Sequence, residues 1–116
     1  MKIAFFELRE NEKESIQACM GKAHTLRFFR GPLTRGNASM VKGFDCISVI
    51  NCTGGRLDAG MLQKLPRLKL IAVRATGFDP VDMDECGKKK IAVCNVPFYA
   101  ENTVAEHAFA LMLSLS

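Results

Sequence analysis

Two short stretches of this chain bring together residue types that can hold a small anion. The first is Thr76-Gly77-Phe78, which follows the apolar run Leu70-Ile71-Ala72-Val73 and Arg74-Ala75. A glycine at a strand's end lets main-chain N–H groups converge on a negative group with no Cβ in the way. On residue types alone, a plain turn between a strand and a helix is the simpler account. The second is the corner Pro97-Phe98-Tyr99, which carries the only tyrosine. Its phenol can donate to a carboxylate; the alternative is a surface aromatic covering the start of the next helix. Thr53-Gly54-Gly55-Arg56 offers a tight loop on the same rim, with Arg56 reading as a solvated helix edge. His107 lies inside an apolar run beside Glu106 and reads as structural rather than as a base, and His24 opens a strand with no partner in sequence.

These residues need a frame, and the hydrophobic pattern predicts one. Lys2–Leu8, His24–Phe29, Asp45–Asn51, Leu68–Arg74 and Ile91–Val96 read as five short strands. The last suits burial on both faces, and Pro97 ends it because proline cannot donate to a ladder. Helical segments fall between the strands. Asn11-x-x-Glu14 predicts a capping box for a first helix that Gly21 closes in the left-handed conformation. Asn37–Val41 forms a short helix closed by Gly43, Asp58 caps a helix through Leu65, and Asp82-x-x-Glu85 caps another. Thr103-x-x-Glu106 predicts a capped helix running to the end. Strand–helix alternation argues for parallel βαβ units. The expected fold is α/β, a flavodoxin-like doubly wound five-stranded parallel sheet of order 2-1-3-4-5. One place is ambiguous: either the fourth helix, the one capped by Asp82, ends at Gly87, or Lys90 takes a left-handed conformation before the fifth strand.

Composition narrows the function classes. A chain of 116 residues, 48% hydrophobic and 24% charged, can bury a core without staples. The net charge of +4 comes largely from Lys88-Lys89-Lys90, a solvated helix end. No basic stripe with interleaved aromatics exists, so no nucleic-acid partner is expected. Cys19, Cys46, Cys52, Cys86 and Cys94 form no C-x-x-C pair, and no metal site is expected. Several sit in apolar runs as small core residues, which points to a reducing compartment, the cytoplasm. Ile3–Phe6 is interrupted at once by Glu7, which does not suit a signal peptide, and no apolar run is long enough for a membrane span.

Asn95-Val96-Pro97-x-Tyr99-x-x-Asn102-x-Val104-Ala105-Glu106-His107-Ala108 resembles the end of the first lobe of the NAD-dependent D-2-hydroxyacid dehydrogenases, close to their D-lactate dehydrogenase branch. Leu68-Lys69-Leu70-Ile71-Ala72-Val73-Arg74-Ala75-Thr76-Gly77-Phe78-Asp79-Pro80-Val81-Asp82 is similar to the same family, where the turn reads x-x-G-x-D-x-x-D after a strand. The resemblance implies a substrate-binding lobe in residues 1–100. Residues 101–116 would then be an interdomain helix leading to an NAD-binding lobe that this chain lacks. It implies that Thr76 and Gly77 hold the carboxylate of a small 2-hydroxy or 2-oxo acid, that Tyr99 helps bind the same substrate, and that Val104 lines the nicotinamide of NAD. Phe98 packs or borders the substrate's side chain. The glycine-rich pyrophosphate turn, the clamping arginine and the proton-transferring histidine belong to the other lobe. None of them falls on these residues, so no catalytic residue is expected here and the chain alone should be inert.

Other classes predict different residues. A phospho-receiver needs acidic groups at the ends of strands one and three; Glu7 is present, but strand three exits through Asn51-Cys52-Thr53. A flavodoxin needs a phosphate loop where Leu8-Arg9-Glu10-Asn11-Glu12 stands. A non-catalytic, corepressor-like relative would keep the lobe and lose the activity. Val104–Leu115 is apolar around nearly its whole circumference, so the helix is expected to bury one side on its own sheet. The other side should drive a homo-oligomer.

Overall fold

The computed structural model describes residues 1–99 and 101–115, with the Glu101 side chain left aside. Five strands form one parallel sheet: β1 (Lys2–Phe5), β2 (Thr25–Phe28), β3 (Cys46–Val49), β4 (Leu70–Val73) and β5 (Ala92–Cys94), in the order β2-β1-β3-β4-β5. The pairing Ile3↔Cys46↔Leu70↔Ala92 sets the register across four of them. Between them lie α1 (Glu12–Met20), a 3-10 turn (Ala38–Val41), α2 (Ala59–Leu62) and α3 (Met83–Lys88), and α4 (Glu101–Ser114) comes after β5. This is the doubly wound α/β order that the pattern of the chain predicted.

Side chains alternate across the pleat, so each strand feeds two cores. Ala4, Phe6, Ile47, Val49, Ile71 and Val73 face the larger one, with Met61 and Leu62 of α2, Cys86 of α3 and Val41 packed on them. Ile3, Phe5 and Cys46 face the smaller, against Ile16 and Met20 of α1 and Leu26 and Phe28 of β2. The stacked pairs Phe5–Phe28 and Phe6–Phe29, with centroids 5.5 and 4.6 Å apart, pin the edge strand β2 to β1 from both faces.

Local signals succeeded where the partner was near. The Asp58 carboxylate accepts from the Met61 N–H at 2.9 Å, and the Asp82 carboxylate from the Glu85 N–H at 3.0 Å. Both residues sit in the extended region that a cap requires. Three expectations need correction. Asn11 is helical, at φ −74° and ψ −14°, and makes no side-chain cap; the Glu12 carboxylate instead turns back to accept from the Arg9 N–H at 2.7 Å. Gly21 closes α1 at φ 59° and ψ −154°, which is not the left-handed helical region but an extended one essentially reserved for glycine. And α4 begins at Glu101, which makes Thr103 its third residue rather than its cap; the residue preceding the helix lies outside the described residues.

The ambiguity at the helix capped by Asp82, which is α3, resolves in favour of Lys90, at φ 56°. The Ile91 N–H donates to the Cys86 carbonyl at 2.9 Å and the Lys90 N–H to the Gly87 carbonyl at 3.1 Å. This is the Schellman pair of bonds, and buried Cys86 and Ile91 supply its apolar contact. Glycine thus stands inside α3, where helix propensity disfavours it, and lysine stands where glycine is favoured.

The largest departure concerns α4. Every described side chain from Asn102 to Leu115 is exposed, with Val104 at 68%, Phe109 and Met112 at 66% and Leu113 at 72%. The helix does not bury a side on the sheet, contrary to the expectation from its sequence. It extends the molecule to 55 × 34 × 24 Å and a radius of gyration of 16.3 Å, against about 13 Å for a compact chain of this length. For the same reason β5 is not buried on both faces: it is an edge strand with Ala92 and Cys94 exposed.

Lys90→Gly and Gly87→Ala should each stabilise the chain by about 0.5–1 kcal/mol, the first by relieving a left-handed lysine and the second by improving helix propensity where a Cβ meets nothing within 4 Å. Urea midpoints that fall for Lys90→Gly would contradict the cap. The exposed face of α4 should make the isolated chain self-associate at micromolar concentration, and Phe109→Glu with Met112→Lys should return it to a monomer. Light scattering reads both, and a monomeric wild type would remove the expectation.

Candidate functional site

The carboxyl ends of β1, β3 and β4 are joined by two charged side chains. Glu7 comes just after β1, with a positive φ of 56°. One oxygen of its carboxylate accepts from the N–H groups of Ile50 and Asn51 at 2.8 and 3.1 Å. The other accepts from the Thr53 N–H at 3.1 Å and the Thr53 hydroxyl at 2.8 Å. Burial alone would raise the Glu7 pKa; the donors from Ile50, Thr53 and Asn51 together outweigh it, and the group sits below its ordinary 4.5. Arg74 stands at the exit of β4. It donates through Nη1 to the Ser48 hydroxyl and through Nη2 to the Phe6 carbonyl, both at 2.8 Å, with its guanidinium carbon 5.9 Å from the Phe5 ring centroid. Neither residue was singled out for this role from the sequence; the available signal was a charged residue directly ending an apolar strand.

The loop after β3 is thereby a scaffold. Cys52 is buried at φ 49°, and burial, with the Glu7 charge nearby, pushes its thiol up to about 11, away from nucleophilic reactivity. A Cβ on Gly54 would stand 2.2 Å from the Leu33 carbonyl oxygen, so only glycine lets this loop approach its neighbour. Leu57 pairs with Val81, its N–H donating to the Pro80 carbonyl at 2.8 Å and its carbonyl accepting from the Asp82 N–H at 3.2 Å. That bridge ties the loop after β3 to the loop after β4. A receiver-type acidic pocket does not form, because Glu7 is occupied by backbone donors.

The turn after β4 is different. The Ala75 carbonyl accepts from the Val96 N–H at 3.0 Å, and the Thr76 carbonyl from Asn95 Nδ2 at 2.8 Å. Both carbonyls are therefore held by the exit of β5. The N–H groups of Thr76 and Gly77, which share those two trans peptide planes, have no protein acceptor among the described residues. Thr76 and Gly77 are exposed. Tyr99 is 70% and Phe98 80% exposed on the corner beyond Asn95, and Val104 lies in the first turn of α4. The Tyr99 hydroxyl has no hydrogen bond among the described residues. His107 is exposed and likewise unbonded, which removes its reading as a packed structural histidine. His24 is half-buried with Nδ1 3.5 Å from the terminal amine. A separate groove at the β1–β2 end is lined by Arg9, Glu10, Lys13, Phe28 and Arg30, of which Glu10 and Arg30 form an ion pair. Among the described residues no group of three or more His, Cys, Asp or Glu side chains is arranged to hold a metal ion, and no helix is long and apolar enough to cross a membrane.

A family profile described as D-isomer specific 2-hydroxyacid dehydrogenase, catalytic domain, matches residues 3–113. The chain belongs to this family. It is 31% identical to D-lactate dehydrogenase of Escherichia coli K12 over all of this chain and 36% of that protein. It is 34% identical, over 70 residues, to glyoxylate reductase of Pyrococcus furiosus. The structure of Aquifex aeolicus D-lactate dehydrogenase complexed with NAD and lactic acid superposes with a TM-score of 0.87 at 34% identity, over 97% of this chain and 33% of that one. The chain thus spans about a third of the length of the D-lactate dehydrogenases it matches.

The Glu7 network has a pH signature. Its pKa is lowered on folding, so its contribution is complete above 4.5 and is lost as the pH falls through the lowered folded value. Glu7→Gln should cost about 1.5–3 kcal/mol at neutral pH, because an amide cannot accept at both ends, and the gap to wild type should close in acid. Unfolding free energies at several pH values test this; a gap independent of pH would exclude an ionised Glu7 as its origin.

Proposed function

We propose that the chain is the substrate-binding lobe of an NAD-dependent D-2-hydroxyacid dehydrogenase of the D-lactate type. The reaction is hydride transfer between a 2-hydroxy acid and NAD. One observation carries the seat: two adjacent N–H groups, at the carboxyl end of an interior strand, have no protein acceptor while their carbonyl partners are both held. A carboxylate of a small 2-hydroxy or 2-oxo acid placed there receives two charge-assisted hydrogen bonds, the stronger class of such contacts. Main-chain donors suit this task because they bind the carboxylate without selecting the rest of the acid. The exposed phenol of Tyr99 supplies a further donor on the next corner.

NAD fits this chain at one point only. Val104 presents exposed methyl groups near the start of α4, suited to one face of a nicotinamide ring. A dinucleotide also needs a glycine turn for its pyrophosphate, and no G-x-G-x-x-G occurs in the sequence. When bound, NAD supplies or accepts the hydride; the residues of this chain seat and orient the acid. Proton transfer calls for an oriented acid–base group, and His107 has no orienting partner among the described residues. The nucleotide-binding lobe and the catalytic histidine therefore belong to residues outside 1–116, with residues 101–116 as the helix between the lobes. The bare apolar surface of α4 supports that role.

The chain by itself, given NADH and pyruvate, should show no turnover above a protein-free blank. Turnover in a preparation free of host dehydrogenase would overturn the division of labour. In a two-lobed enzyme carrying this chain, Gly77→Val should raise the KM for the 2-oxo acid at least tenfold, as the added side chain crowds the seat. An unchanged KM would remove the seat from Thr76–Gly77.

A further inference from the structure

We infer that Asn95 is the positioning residue of the carboxylate seat: its side-chain amide fixes the direction in which the Gly77 N–H points. The inference rests on the reading of Thr76–Gly77 as that seat and adds the device that aims it. Asn95 Nδ2 donates to the Thr76 carbonyl at 2.8 Å. The Thr76–Gly77 peptide is planar and trans, so its C=O and N–H point in opposite directions. Holding the oxygen at the β5 exit therefore turns the Gly77 N–H away from β5. The neighbouring Ala75–Thr76 peptide is held in the same sense, but by main chain, through the Val96 N–H.

The two donors of the seat thus differ in what secures them. A backbone rung holds Thr76 and one side chain holds Gly77. The Thr76 carbonyl receives no main-chain N–H among the described residues, and its donor is a side chain. Asn95 provides that donor from a half-buried position at the same corner.

The hold matters because the turn has little else to define it. Thr76, Gly77, Phe78 and Asp79 are all exposed, and the next backbone hydrogen bond is the Val81 N–H to the Phe78 carbonyl. Glycine leaves the 76–77 peptide free to rotate, and a rotated peptide would present a carbonyl oxygen where the anion belongs. A Cβ on Gly77 would stand 3.2 Å from the Asp79 carboxylate, so the turn has little room for a side chain here. Only one orientation of this peptide receives a carboxylate, and Asn95 selects it.

Two measurements test the inference. In the isotope-labelled chain without ligand, Asn95→Ala should lower the 15N heteronuclear NOE at Gly77 while leaving Thr76, which Val96 still holds, near its wild-type value. In a two-lobed enzyme carrying this chain, Asn95→Ala should raise the KM for pyruvate about tenfold, with kcat within threefold of wild type and NADH affinity unchanged. Asn95→Asp, which replaces the donor with a negative charge, should raise it further. Unchanged Gly77 dynamics together with an unchanged KM in both variants would overturn the inference. A general loss of structure would change Thr76 and NADH binding alongside Gly77, and that outcome also counts against it. Gly77→Val separates the two levels: if it raises KM while neither Asn95 variant does, the seat stands and the positioning role falls; if it does not, the seat itself falls.

Discussion

The carboxylate of Glu7 is the contact on which the carboxyl edge of this sheet depends. It accepts four hydrogen bonds from three residues of the loop after β3, at 2.8 to 3.1 Å. Open α/β sheets place ligands outside the carboxyl ends of their strands, where the backbone must leave the ladder and find other partners. Here a single anion satisfies three exit amides, and the cost is a glutamate held at positive φ. Arg74 complements it from β4 by reaching across to Ser48 and to the Phe6 carbonyl. One acidic and one basic side chain thereby tie three strand ends together. The turn that begins two residues after Arg74 starts from a fixed point.

How much of this was legible depends on the distance between partners. Asp58 and Asp82 could be recognised as caps because each closes on an N–H three residues away. Five strands could be recognised because each is an apolar run between turn residues. Glu7 reaches partners 43 to 46 positions along the chain, and Arg74 reaches back 26 and 68. No window of local sequence contains such pairs. The cap at Asn11 failed on backbone conformation: Asn11 is already helical, and the carboxylate that closes locally is Glu12, on the Arg9 N–H. At Lys90 the local rule pointed both ways, and the Schellman bonds decided it by carrying Ile91 into the core.

The candidate seat was visible only as a glycine after a strand, because its working atoms are backbone N–H groups that every residue but proline possesses. What distinguishes them is that their carbonyl partners are held elsewhere and no protein acceptor among the described residues meets them. That is a property of two strand exits at once, β4 and β5, and it emerges only when Val96 and Asn95 are placed beside Ala75 and Thr76. The motif around Asn95, Pro97 and Tyr99 carried the family resemblance, and the structure gives its asparagine a partner: the side-chain amide donates to the Thr76 carbonyl.

The helix α4 carries apolar surface that the sheet does not cover. Fully burying a large aliphatic or aromatic side chain contributes roughly 1.5–3 kcal/mol, and α4 leaves Phe109, Leu111, Met112 and Leu113 more than half exposed. A helix apolar around nearly its whole circumference has no favourable orientation on a single sheet, since covering one side leaves the other in water. Its sequence therefore suits a position between two bodies. The same argument applies to the exposed Ala92 and Cys94 on β5, the edge strand from which the helix departs. Sheet edge and helix face are left uncovered together, next to the corner that holds Asn95 and Tyr99, so the surface this fold leaves unfinished adjoins its candidate seat.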